Sequence, residues 1–163
     1  MYRDTNRFTY FAIGRQLIEI GAVPADAMSM QRIRAWLADH PGLATGVMNR
    51  NDSYVFFRLS TDPPTGSLGV PVTAGRTLAL DHRVFPSAAL AYVETVKPLA
   101  TATDGATGWV PFQRFMLNQD TGGAIRGPGR ADFYWGGGDY AQAAAGHMKH
   151  PGKLYFLILK PGA

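Results

Sequence analysis

At 163 residues the chain has the length of one compact domain of ordinary size, and no stretch approaches the ~20 apolar residues that a membrane-spanning helix needs. Its net charge of +4, from 16 basic and 12 acidic residues, is dispersed without a basic run or a recognition motif, which argues against nucleic acid as the partner. Cysteine is absent, which excludes disulfides, thiol catalysis and cysteine metal sites. The first residues, "MYRDTNRFTYFAIGRQ", carry charges from the third position and no apolar core of a secretory signal. From about residue 9 to 21, Phe11, Leu17, Ile18 and Ile20 recur at helical spacing and Gly21 is a stop signal. A second helix is predicted in "SMQRIRAWLADHPG", with Ser29 as its cap. It sets Met30, Ile33, Trp36 and Leu37 on one face, gives Trp36 a core role, and ends at His40-Pro41-Gly42.

After "NRND" the pattern turns to β. "SYVFFRL" at 53–59 is the first strand, followed by strands at about 77–81, 89–96, 111–118 and 153–159. Gly- and Pro-rich turns separate them, "STDPPTGSLG", "TAGR" and "ATDGATG". A further helix, "DYAQAAAGHMK", is predicted with Asp139 as cap, as a lid or plug between the last two strands. Short strands with such punctuation predict a mainly β fold with flanking helices, a small barrel or sandwich.

The glycines match neither a P-loop nor a dinucleotide fingerprint, and "WGGGD" at 135–139 reads as a turn into the last helix. His147 and His150 lie three apart without a third metal ligand of suitable spacing, His82 is a candidate ion-pair partner for the adjacent Asp81, and no G-x-S-x-G elbow is present. No metal or cofactor is therefore expected. Carboxylates remain. Only Glu19 and Glu94 are glutamates, so the acids of "QDTGGAIRGPGRADFYWG", residues 119–136, stand out. A carboxylic acid walled by aromatics is suited to protonating a glycosidic oxygen, and Asp132 precedes Phe133, Tyr134 and Trp135. Those rings either stack on sugar faces or fill the core. Asp120, at a strand end before "TGG", is placed to accept N–H bonds from the turn that follows.

"SYVFFR", "GVPVTAGRTLALDHRVFP", "LNQDTGGAIRGPGRADFYWGGGD" and "AGHMKHPGKLYFLILK" resemble, in that order, the C-terminal part of the membrane-bound lytic murein transglycosylase A family. The resemblance includes its 3D region, named for three aspartates, matched here by Asp81, Asp120 and Asp132. It implies a double-psi β-barrel over residues 53–163, led into by a helical segment over 1–52 that is a remnant of a larger N-terminal part. It also implies cleavage of the β-1,4 bond between N-acetylmuramic acid and N-acetylglucosamine, with formation of 1,6-anhydromuramic acid. Asp132 is then the general acid and base, Asp120 its supporting neighbour, and Asp81, Gly122 and Gly123 shape the site. Tyr134, Trp135, Arg126 and Arg130 are candidate substrate contacts. The implied partner is the peptidoglycan glycan strand and the implied place is the periplasm, associated with the outer membrane.

The chain departs from the family in "VFPSAALAYV", where a glycine-containing turn is usual, and in lacking most of the N-terminal part that completes the groove. The rival reading is a non-catalytic glycan-binding barrel module, since fold does not fix function. A two-carboxylate glycoside hydrolase would instead release reducing ends.

Overall fold

A computed structural model describes residues 2–101, 105–160 and 162. The turn expected in "ATDGATG" falls in part outside them. Two compact units divide the chain, Met1–Thr61 and Asp62–Ala163.

The first unit contains strand β1 (Tyr2–Thr5), helices α1 (Ile13–Glu19), α2 (Met30–Asp39) and α3 (Pro41–Met48), and strand β2 (Val55–Phe57). Leu17, Val23 and Val47 are buried at its centre, with Ile33, Trp36 and Leu37 of α2 packed on them, so Trp36 is a core residue. Ser29 caps α2, its hydroxyl accepting from the Arg32 N–H at 3.2 Å. The sequence reading stopped at Pro41, but α3 begins there: in a first turn the missing N–H of proline removes no intrahelical bond. Strand β2, expected to open the barrel, pairs antiparallel with β1 inside this unit. Because Leu17 is fully buried, Leu17→Ala is expected to cost about 2–5 kcal/mol of the unit's stability, read by urea denaturation.

The second unit is a five-stranded mixed sheet with one flanking helix, α4 (Asp139–His147). Its strands are β3 (Thr77–Ala79), β4 (Leu90–Thr101), β5 (Gly105–Asp120), β6 (Asp132–Phe133) and β7 (Lys153–Phe156), in the order β6-β3-β5-β4-β7. Strand β3 runs parallel to β5 and every other pairing is antiparallel. The long β4–β5 hairpin is the frame. Along β5, Phe112, Met116 and Asn118 are buried while Gln113, Phe115 and Leu117 are exposed, the period of two that a one-sided sheet requires.

Leu78, Leu80, Ala91, Val93, Phe112 and Met116 form the core of this unit. Helix α4 packs on β4 and β5, burying Ala141 and Ala144. Its cap is Gly138, and Asp139 lies inside the first turn, where a negative charge faces the positive end of the helix dipole. No closed barrel forms among the described residues. Closure needs partners for the edge strands β6 and β7, and the described chain supplies none.

Candidate active site

Strand register brings two of the three aspartates together. Ala79 of β3 is paired on one side with Asp120 of β5 and on the other with Asp132 of β6. Strand spacing then sets the Asp120 and Asp132 Cα atoms about 10 Å apart, on one face of the sheet. Both residues line a cavity of about 330 Å³, together with Thr121, Ile125, Phe133 and Tyr134.

The Asp132 carboxyl is half-exposed and held bidentately by Arg130, Nε to Oδ1 at 2.8 Å and Nη2 to Oδ2 at 2.8 Å. The third guanidinium nitrogen donates to the Ala124 carbonyl at 3.1 Å, which anchors Arg130 to the glycine turn. Asp132 in return holds the guanidinium above its ordinary value. The aromatic wall expected around this carboxyl is not what holds it. Phe133 lines the cavity with Asp132 and also packs against the core, stacked on Trp135 with ring centroids 6.0 Å apart.

Asp120 takes its hydrogen bond from the Ser67 N–H at 2.9 Å, fifty-three residues away in sequence, rather than from the turn that follows. Gly66 makes that approach possible. A Cβ there would lie 2.5 Å from the Gln119 carbonyl oxygen, closer than real side chains come. Gly122 and Gly123 form a turn closed by the Ile125 N–H to the Gly122 carbonyl at 3.0 Å, and buried Ile125 packs beside Gly122.

Asp81 is fully buried and lies two residues past Ala79. Its partner is Arg83, not His82, with Nε to Oδ1 at 2.9 Å and Nη2 to Oδ2 at 2.7 Å. Oδ2 also accepts from the Gly127 N–H at 2.7 Å, and Gly127 has a φ of 74°, a left-handed geometry that glycine adopts without strain. The Arg83 guanidinium first, and the Gly127 N–H second, hold the Asp81 carboxyl well below the usual carboxylate range. This buried anion ties the segment after β3 to the loop that leads into β6. His82 instead lies 3.3 Å from the Thr121 hydroxyl.

Of the remaining candidates, Tyr134 continues the β3 pairing through the Thr77 carbonyl and the Gly75 N–H. Trp135 packs on the core, while Arg126 is exposed. No group of three or more metal-binding side chains occurs among the described residues. Gly66, Ser67 and the structural role of Arg83 were missed by sequence reasoning. The Asp-x-Arg and Arg-x-Asp spacings of Asp81–Arg83 and Arg130–Asp132 were the available signal, since residues two apart in a bend or strand reach each other.

The 3D domain model matches residues 76–158, and the model of the MltA specific insert domain matches residues 1–58. A membrane-bound lytic murein transglycosylase A of Vibrio cholerae is 34% identical over 161 residues, covering 98% of this chain and 43% of the relative. The crystal structure of a membrane-bound lytic murein transglycosylase from Agrobacterium tumefaciens is 38% identical with a TM-score of 0.77, over 96% of this chain and 42% of that one. Escherichia coli MltA with bound chitohexaose is 31% identical with a TM-score of 0.83, over 98% of this chain and 47% of that one. The chain thus spans under half the length of the relatives it matches. With the 3D domain matched over half its length and the insert domain over most of the rest, the chain belongs to the membrane-bound lytic murein transglycosylase A family.

Proposed function

We propose that the chain forms the acid-bearing part of a peptidoglycan lytic transglycosylase, with Asp132 as the group that first donates and then recovers a proton. The observation that carries this reading is the register that sets Asp132 and Asp120 on either side of Ala79, at one cavity. Protonated Asp132 gives its proton to the glycosidic oxygen as the bond to muramic C1 breaks. Positive charge builds on C1, and Asp120 contributes negative potential nearby. The Asp132 carboxylate then takes the proton of the sugar's own C6 hydroxyl, whose oxygen closes on C1. One C–O bond breaks, one forms, the acid is regenerated and no water is consumed. Because the nucleophile belongs to the substrate, a single acid suffices where ordinary glycosidases need two carboxyls.

Both Asp132 oxygens are engaged by Arg130 in this structure, so Arg130 must release one of them for the glycosidic oxygen to approach. We place Tyr134 and Trp135 along the glycan path and give Asp81, through its bond to Gly127, the role of positioning the loop from which Asp132 enters the sheet. In this reading the sheet of the second unit is part of a double-psi β-barrel that the remaining length of the relatives completes, and that length supplies the rest of the groove. The cell envelope is the place of action, in keeping with relatives named as membrane-bound. No helix among the described residues is long and apolar enough to cross a membrane.

Incubating purified sacculi with the chain and weighing the soluble muropeptides tests the reading. Anhydro ends are expected. Reducing ends, heavier by one water, would mean hydrolysis, and retained glycan binding without products would favour the non-catalytic module.

A further inference from the structure

The planar guanidinium of Arg130 gives Nε and Nη2 to the two Asp132 oxygens, each at 2.8 Å, and Nη1 to the Ala124 carbonyl at 3.1 Å. The pair is half-exposed, so it adds little to stability, and stability does not account for three aligned bonds. We propose that Arg130 is the positioning residue of the acid. It fixes the plane of the Asp132 carboxyl to the glycine turn and yields one oxygen when a glycan enters, a role that rests on the transglycosylase reading above.

Three observations support this role. The torsion that turns an aspartate carboxyl is broad when nothing holds it, and among the described residues no hydrogen bond other than those of Arg130 reaches the Asp132 oxygens. Two parallel N–H bonds from a rigid fork leave the carboxyl one orientation. Second, the fork is itself anchored. Ala124 lies in the turn closed by the Ile125 N–H to the Gly122 carbonyl, and Ile125 is buried, so the third bond ties Arg130 to backbone with a fixed place. Thr121 and Ile125, beside that anchor, line the cavity that Asp120 and Asp132 share, so Arg130 sets the acid relative to the wall of its own cavity. Third, Arg130 and Asp120 line different cavities while Asp132 borders both. Arg130 is on the wall of an adjoining cavity of about 520 Å³ and Asp120 on that of the 330 Å³ cavity. The guanidinium therefore has room to withdraw away from Asp120. Precision at this point matters to the rate, because a reacting group misplaced by about 1 Å can cost on the order of 10²-fold.

The test has two readouts on the full chain. With soluble glycan strands as substrate, Arg130→Lys keeps the charge but not the fork. It is expected to lose about 10²-fold in kcat for anhydro release, with KM and Tm close to those of the wild type. A wild-type kcat, or a loss carried by KM, would overturn the positioning role. The second readout is the nitrogen NMR signal of the Arg130 Nε–H during titration with chitohexaose. It is expected to shift, while the Nε–H of Arg83, locked on buried Asp81, stays in place as the control. An Arg130 signal that stays put at the highest soluble concentration of the oligomer, or moves no more than that of Arg83, would overturn the proposal whether or not the chain is active. Reducing ends or no product from the wild type, with the Arg130 signal still shifting, would overturn the transglycosylase reading and keep Arg130 as the residue that yields to a glycan. Anhydro release that Arg130→Lys leaves untouched would remove the positioning role alone.

Discussion

Replacing Asp132 with Asn is expected to abolish anhydro-muropeptide release from sacculi, a loss on the order of 10²–10⁴-fold for a removed general acid. Asn keeps the shape of Asp and offers one oxygen to Arg130, but it has no titrating proton to give or recover. The two roles proposed for this side chain, donor at the glycosidic oxygen and acceptor at the C6 hydroxyl, fail together. Stability should hardly change. The Arg130–Asp132 pair is half-exposed on both sides, and such pairs contribute about 0–1 kcal/mol. The measurement is mass spectrometry of the soluble products beside a thermal melt of each protein. A variant that still releases anhydro ends at the wild-type rate would remove Asp132 from the reaction. A variant that is inactive because it has unfolded would be recognised by its melt.

The opposite pattern is expected of Asp81→Asn. Asp81 is fully buried and makes four described bonds, three to Arg83 and one to the Gly127 N–H. Asn loses the charge and turns part of this acceptor set into a donor facing other donors, which leaves buried N–H groups unmatched. A fall in the Tm of the second unit on the order of 5–10 °C is expected. Activity falls with it, because the loop that delivers Asp132 loses its tether.

The acid dependence has a definite sign. Arg83 and Gly127 depress the folded-state value of Asp81 below the ordinary 3.8. Its contribution is therefore present in full above the ordinary carboxylate value and is lost as pH falls toward the depressed one. The gap in Tm between wild type and variant should be constant above about pH 5 and shrink below it. A gap that widens on acidification would mean that Asp81 is not held as the anion.

Local elements were legible wherever the signal was local. Ser29 is read as a cap from its own position and meets the N–H of Arg32 three residues on. The alternation in 111–118 is the side-chain pattern of β5 itself. Local rules also misled where two of them compete. Pro41 after His40 stops one helix and starts the next, and only packing chooses between these outcomes. Asp132 beside three aromatic residues suggested an apolar wall. Phe133 and Tyr134 do line the cavity with Asp132, but the carboxyl itself is held by Arg130, two residues back along the chain.

The sequence by itself determined helices α1, α2 and α4, the segments of strands β2 to β5 and β7, the family, and the three aspartates. Each of these is written in runs of residues short enough to be read along the chain. Only the tertiary structure decided that β3 lies between β5 and β6, so that Asp120 and Asp132 share Ala79 as neighbour. The same holds for Ser67 reaching Asp120 across fifty-three residues and Gly127 reaching Asp81 across forty-six. Strand register is set by burial of one whole face against a common core, and a displacement of one residue would send every side chain to the other face. No local stretch of the chain encodes that choice, because its energy is spread over all the strands that share the core.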